Sequence, residues 1–157
     1  MVYLGVTPEK EQFVVSPENA RITFCTSFVA LSTLALAAVL RVYDGIAVTT
    51  LVFLTSVNYW RRPVYGFRRN LDIAAAGVCL AYQTLRSFSV EPLYQAGYLT
   101  SSYAGVVIYF IGLYLSRRNR RHETTGAYMH AITHALGNVG NVFLYVGLNR
   151  VHNRWTW

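Results

Sequence analysis

Four polar side chains stand in register inside the last apolar stretch of this sequence. In HAITHALGNVGN, His130, His134, Asn138 and Asn141 fall at i, i+4, i+8 and i+11, and helical periodicity places all four on one face. Two imidazoles one turn apart are the geometry with which zinc-binding helices present paired nitrogens to a metal. The same stripe also works with no metal, as a helix–helix seam in which each polar group bonds across to a neighbour. Gly137 lies on the stripe and Gly140 beside it, which lets a second backbone come close. Two further segments offer complementary groups: Asp72 in RRNLDIAAAG, and Ser56 with Asn58 in LTSVNYW. Asp72 could complete a ligand set with His130 and His134 around a metal, and the Ser56 hydroxyl could converge on the same place. Their alternatives are an ion pair between Asp72 and Arg62, Arg68 or Arg69, and a bond from Ser56 back to its own helix carbonyl.

The elements that must position these groups are apolar helices. The chain is 54% hydrophobic and only 13% charged, with a mean hydropathy of +0.29. A soluble domain carries roughly 25% charged residues, so much of this surface is expected to face lipid. The predicted fold is all-α, a polytopic transmembrane bundle of about five spans at 22–42, 45–60, 71–87, 99–116 and 127–148. Residues 1–21 form an extramembrane N-terminal segment and 149–157 a tail. The first two spans are expected to be joined by a tight turn at Tyr43-Asp44-Gly45. The N-terminal twenty residues, with Pro8, Glu9, Lys10, Glu11 and Pro17, lack the pattern of a signal or transit peptide. Cys25 and Cys79 fall inside apolar runs as small hydrophobes and suggest no disulfide framework.

The net charge of +7 is unevenly distributed. Arg61, Arg62, Arg68, Arg69 and Arg117, Arg118, Arg120, Arg121 form two clusters, each starting where an apolar run stops. With five spans, these eight join Lys10 and Arg21 on one face, while Arg41, Arg86, Arg150 and Arg154 share the other. That bias puts the N-terminus of an integral membrane protein on the cytoplasm-like side. It also marks the clusters as contacts for anionic lipid head groups rather than for nucleic acid. Tyr59, Trp60, Tyr65, Phe67, Trp155 and Trp157 sit at span ends, as interfacial anchors do.

A serine near the end of the second span (Ser56), "LD" opening the third (Asp72) and H-x-x-x-H in the last (His130, His134) resemble the superfamily of alkaline ceramidases, adiponectin-receptor-type and haemolysin-III-like proteins. The resemblance implies a zinc-dependent membrane hydrolase, with Asp72, His130 and His134 near the metal and Ser56 assisting. The chain departs from that pattern in having Trp60 where the family's S-x-x-x-H has its histidine, five spans in place of seven, and no third histidine within a span. Three functional readings follow: a structural or assembly subunit that packs against other membrane proteins or its own copies, a metal-dependent hydrolase, and a small transporter or channel subunit with the stripe lining a path.

Overall fold

Six helices make up the described residues, 13–154 of the computed structural model: α1 (Pro17–Ser27), α2 (Ala30–Val39), α3 (Tyr43–Trp60), α4 (Phe67–Ser87), α5 (Pro92–Arg118) and α6 (Glu123–Arg154). A single 3₁₀ turn, Arg120–His122, leads into α6. The all-α class is as expected from sequence. Lys10, Trp155 and Trp157 lie outside the described residues. Two rods, Pro17–Val39 (α1 with α2) and Pro92–Arg118, are long and apolar enough to cross a membrane. The other helices miss that standard because their polar residues lower the average along the chain, wherever those residues point.

The first apolar stretch is not one uninterrupted helix. Thr26 Oγ1 (3.0 Å) and Ser27 Oγ (2.9 Å) both donate to the Thr23 carbonyl. Such hydroxyls compete with the backbone ladder and bend helices. The next amides tighten to i−3 bonds, Phe28 to Cys25 and Val29 to Thr26, and α2 resumes at Ala30. The turn into α3 also falls earlier than expected. Arg41 takes φ 57°, with its N–H on Ala38 O and the Val42 N–H on Ala37 O. This is the 6→1 and 5→2 helix stop that usually carries glycine at the left-handed position. Tyr43, Asp44 and Gly45 therefore open α3 rather than making the turn.

α5 and α6 run antiparallel and form the most extensive contact in the molecule. Their seam is built from small residues every seven positions on α6: Gly126, Thr133, Gly140 and Gly147. Thr133 Oγ1 donates across it to Gly105 O at 3.0 Å. A Cβ at Gly112 would lie 2.8 Å from Met129 Cβ and 3.4 Å from Gly126 Cα. Without hydrogen as the side chain of the seam's glycines the backbones could not approach this closely.

The segment before α1, the α3–α4 loop and the start of α6 gather at one end. Val14 N donates to Pro63 O at 2.9 Å, Phe13 bridges to Val64, and Ser16 N donates to Glu123 Oε1 at 2.6 Å. At the opposite end Asn149 Nδ2 reaches Leu40 O (3.0 Å) and Arg86 Nε pairs with Asp44 Oδ2 (2.7 Å). The seam makes a signed prediction. Gly112→Leu should cost about 1–3 kcal/mol by overpacking, whereas Gly77→Ala, with nothing within 4 Å of the added carbon, should be neutral or gain up to about 1 kcal/mol in helix propensity. Equilibrium unfolding in detergent compares the two, and equal losses would show that the α5–α6 approach is not limiting.

Candidate functional site

α6 carries the polar stripe and three surrounding elements answer it. His134 Nδ1 meets Thr26 Oγ1 of α1 at 3.2 Å. Thr33 Oγ1 of α2 donates to Asn138 Oδ1 at 2.6 Å, and Asn138 Nδ2 donates back to His134 O at 2.8 Å. Gln83 Nε2 of α4 donates to Asn141 Oδ1 (2.9 Å) and to the Tyr145 hydroxyl (3.0 Å). That hydroxyl also meets Thr49 Oγ1 of α3 at 2.6 Å. Each amide of the stripe thus has a partner on another helix, as buried polar groups require.

His130 is held differently, by ring edges. Its centroid lies 4.9 Å from Trp60, 5.1 Å from Tyr109 and 4.8 Å from His134, all edge-to-face. Trp60 ends α3 and packs with Ala20 and Tyr59, with Phe24 of α1 against them. Trp60 thus abuts the His130 ring as an aromatic wall.

Asp72 and Ser56 form a second, separate pair. Ser56 Oγ donates to Asp72 Oδ1 at 2.7 Å, both residues buried between α3 and α4. Ser56 thus leaves its own helix, whereas its neighbour Thr55 bonds back to Val52 O at 3.1 Å. The structure brings His130 together with His134, and Asp72 together with Ser56. It does not assemble these pairs into one centre, since no group of three His, Cys, Asp or Glu side chains able to hold a metal occurs among the described residues. The expected convergence of Asp72, His130 and His134 fails because α4 turns its carboxylate to α3, while the imidazoles face α1, α5 and the end of α3. These donors do not fit a zinc centre, which needs at least three protein ligands.

Sequence reasoning singled out His130, His134, Asn138 and Asn141 but not Thr26, Thr33, Gln83 or Tyr145, which answer them. Their spacing holds a signal. Asp72, Cys79, Gln83 and Ser87, all buried, share one face of α4. Asn19, Thr26, Thr33 and Leu40 recur every seven residues in the first rod, and each bonds to α6.

Two carboxylates, Glu123 and Asp44, sit at opposite ends of the bundle. The Asn19 amide and the Ser16 N–H on Glu123 hold its carboxyl below the ordinary glutamate value, against a smaller opposing effect of burial. Burial would raise Asp44, but the bonds from Arg86 and Tyr82, the Arg86 charge and the Gly45 N–H together bring it below the ordinary value. No family model matches this chain, and no curated protein or solved structure matches it.

Two outcomes follow. Gln83→Leu strands the Asn141 side-chain carbonyl and removes one bond of the Tyr145 hydroxyl, which keeps Thr49, so it should cost roughly 1–2 kcal/mol, read by unfolding in detergent; an unchanged midpoint would show that the α4–α6 bonds carry no weight. For Glu123 the folded carboxyl is the stronger acid, so its stabilisation is complete above the unfolded pKa and is lost as pH falls through the lower folded value. The melting temperature should therefore drop on acidification, and Glu123→Gln should flatten that slope.

Proposed function

We propose that the chain is an integral membrane protein whose five rods (α1 with α2, α3, α4, α5 and α6) each cross the bilayer, and that it serves as a structural or assembly subunit of a membrane or of a larger membrane complex. The observation that carries this reading is the inverted distribution of polarity. Asp72, Gln83 and Ser87 of α4 are 8%, 7% and 0% exposed, while Val78 and Leu85 of the same helix are 67% and 72% exposed. Phe110 of α5 is 60% exposed, and Val107, Ile111 and Tyr114 lie exposed around it. In water such a surface would be an aggregation patch of unusual extent; in hydrocarbon it is solvated, and the polar face must turn inward.

This inversion also accounts for the three rods that fall short by composition alone, since their polar residues are spent on neighbouring helices. The stripe's amides are all engaged in helix-to-helix bonds, which favours packing over a conducting path. Beyond the bundle there is little room for other chemistry, as the connections between rods are a few residues long.

The two arginine clusters lie at the end that holds Phe13, Val64 and Glu123, which supports a cytoplasm-like N-terminal side. Exposed Arg61, Arg62, Arg117, Arg118, Arg120 and Arg121 then sit at head-group level, where each basic residue contributes about 1 kcal/mol of attraction to anionic lipid. The outward apolar faces of α4 and α5 fit other membrane proteins or further copies of this chain.

The test is topology. In a background with Cys25 and Cys79 changed to Ser, Gly66→Cys and Asn119→Cys should both react with an impermeant maleimide from the cytoplasm-like side, and a cysteine appended after Trp157 only from the other. The protein should also stay with the membrane through alkaline carbonate. Release by carbonate, or labelling of Gly66→Cys and Asn119→Cys from opposite sides, defeats the five-span reading.

A further inference from the structure

The seam between the first rod and α6 is a ladder of parallel rungs. From the arginine-rich end these are Asn19 and Ser16 on Glu123, Thr26 on His134, Thr33 on Asn138, and Leu40 O on Asn149. Between the first and second rungs, the facing positions are Thr23 on α1 and His130 on α6, one turn toward the arginine-rich end from Thr26 and His134.

Two polar atoms at that level, one on Thr23 and one on Trp60, lack hydrogen-bond partners among the described residues, and the His130 ring stands beside Trp60. Thr23 Oγ1 is fully buried and unpaired, in a residue only 1% exposed. Trp60 Nε1 is likewise buried and unpaired, in a residue 9% exposed. His130 makes aromatic edge contacts, one of them to Trp60 itself. Thr23 also differs from Thr26, Ser27, Thr55 and Ser87, each of which donates back to a carbonyl of its own helix. A buried indole N–H and a buried hydroxyl left unpaired are rare, and two of them on adjoining helices beside an imidazole point to a shared partner.

We infer that Thr23, Trp60 and His130 form a binding site for one buried water molecule that bridges α1, α3 and α6. The chemistry selects water. Trp60 Nε1–H can only donate, so the guest must accept; the neutral imidazole offers an acceptor nitrogen, so the guest must also donate. The Thr23 hydroxyl supplies a third partner of either sense. Buried waters typically make about three such bonds to groups that would otherwise be unsatisfied. No charged side chain belongs to the set, which disfavours an ion. This water completes the ladder and gives His130 a hydrogen bond that exists only while three helices are in place. The inference rests on the bundle geometry alone, so it stands or falls apart from the membrane and assembly readings.

Trp60 becomes the sole tryptophan once Trp155 and Trp157 are changed to Phe, so its indole can be observed alone in the full-length chain. In that protein, water-edited solid-state NMR should show early magnetisation transfer from water to the Trp60 indole nitrogen, and the ultraviolet resonance Raman band for the indole N–H should sit at its hydrogen-bonded position. Thr23→Val should abolish the transfer and shift the band to the free N–H position, while Thr23→Ser should preserve both. His130→Phe, which keeps the ring stack, should weaken the transfer. A free N–H in the parent overturns the inference without any variant needing to fold. So does a bonded N–H with no water transfer, which would assign the partner to lipid or protein.

Discussion

An imidazole or amide withdrawn into this bundle has to be met by a group on another helix, because the faces around it are apolar and offer no solvent. That requirement settles the register of the first rod against α6. Four bonds along the seam, from Glu123 to Asn149, allow one alignment, since sliding α6 by a turn would strand every one of them at roughly 1 kcal/mol or more apiece. Apolar contacts between helices in hydrocarbon are nearly interchangeable with lipid contacts and discriminate far less. The polar residues therefore specify which helices meet, and the apolar ones mainly face outward.

α6 is the element that makes this possible. One face carries Gly126, Thr133, Gly140 and Gly147 against α5, and another carries His134, Asn138 and Asn141 against α1, α2 and α4. Close backbone approach on the first face fixes α5 at short range. Directional bonds on the second hold three more elements. Its 32 residues would run about 48 Å at 1.5 Å each, longer than the roughly 30 Å of a bilayer's hydrocarbon. In the proposed membrane reading both ends would extend past the apolar layer, with Glu123 and Asn149 making their bonds there.

The sequence made the stripe on α6 legible because its four residues are close along one helix, where periodicity is a local property. It also set Ser56 and Asp72 in one candidate site, where the two do bond, but it did not reveal that Gln83 meets both Asn141 and Tyr145, because that pairing depends on which helices become neighbours. Hydropathy averages are blind in a related way: α4 has the same mean whether Asp72 and Gln83 face lipid or protein. The start of α3 was misplaced because Arg41 occupies a left-handed helix stop normally signalled by glycine. Nor does residue type or spacing say which way a helix is rotated about its axis, and α4 turns Asp72 to Ser56 of α3.

The few acidic residues sharpen the electrical asymmetry between the ends. At the arginine-poor end, Asp44 is paired with Arg86 at 2.7 Å and is held ionised by it, so one of that end's cations is locally neutralised. At the other end, Glu123 spends its Oε1 on the Ser16 N–H and the Asn19 amide, groups without formal charge, and leaves the neighbouring Arg117, Arg118 and Arg121 exposed. The Glu123 carboxylate lies at the positive end of the α1 dipole, held mainly by these neutral donors with a lesser contribution from the Arg120 charge. Fold stability and surface charge are thus served by separate residues. The exposed cations of the arginine-rich end are therefore separate from the bonds that align the helices beneath them.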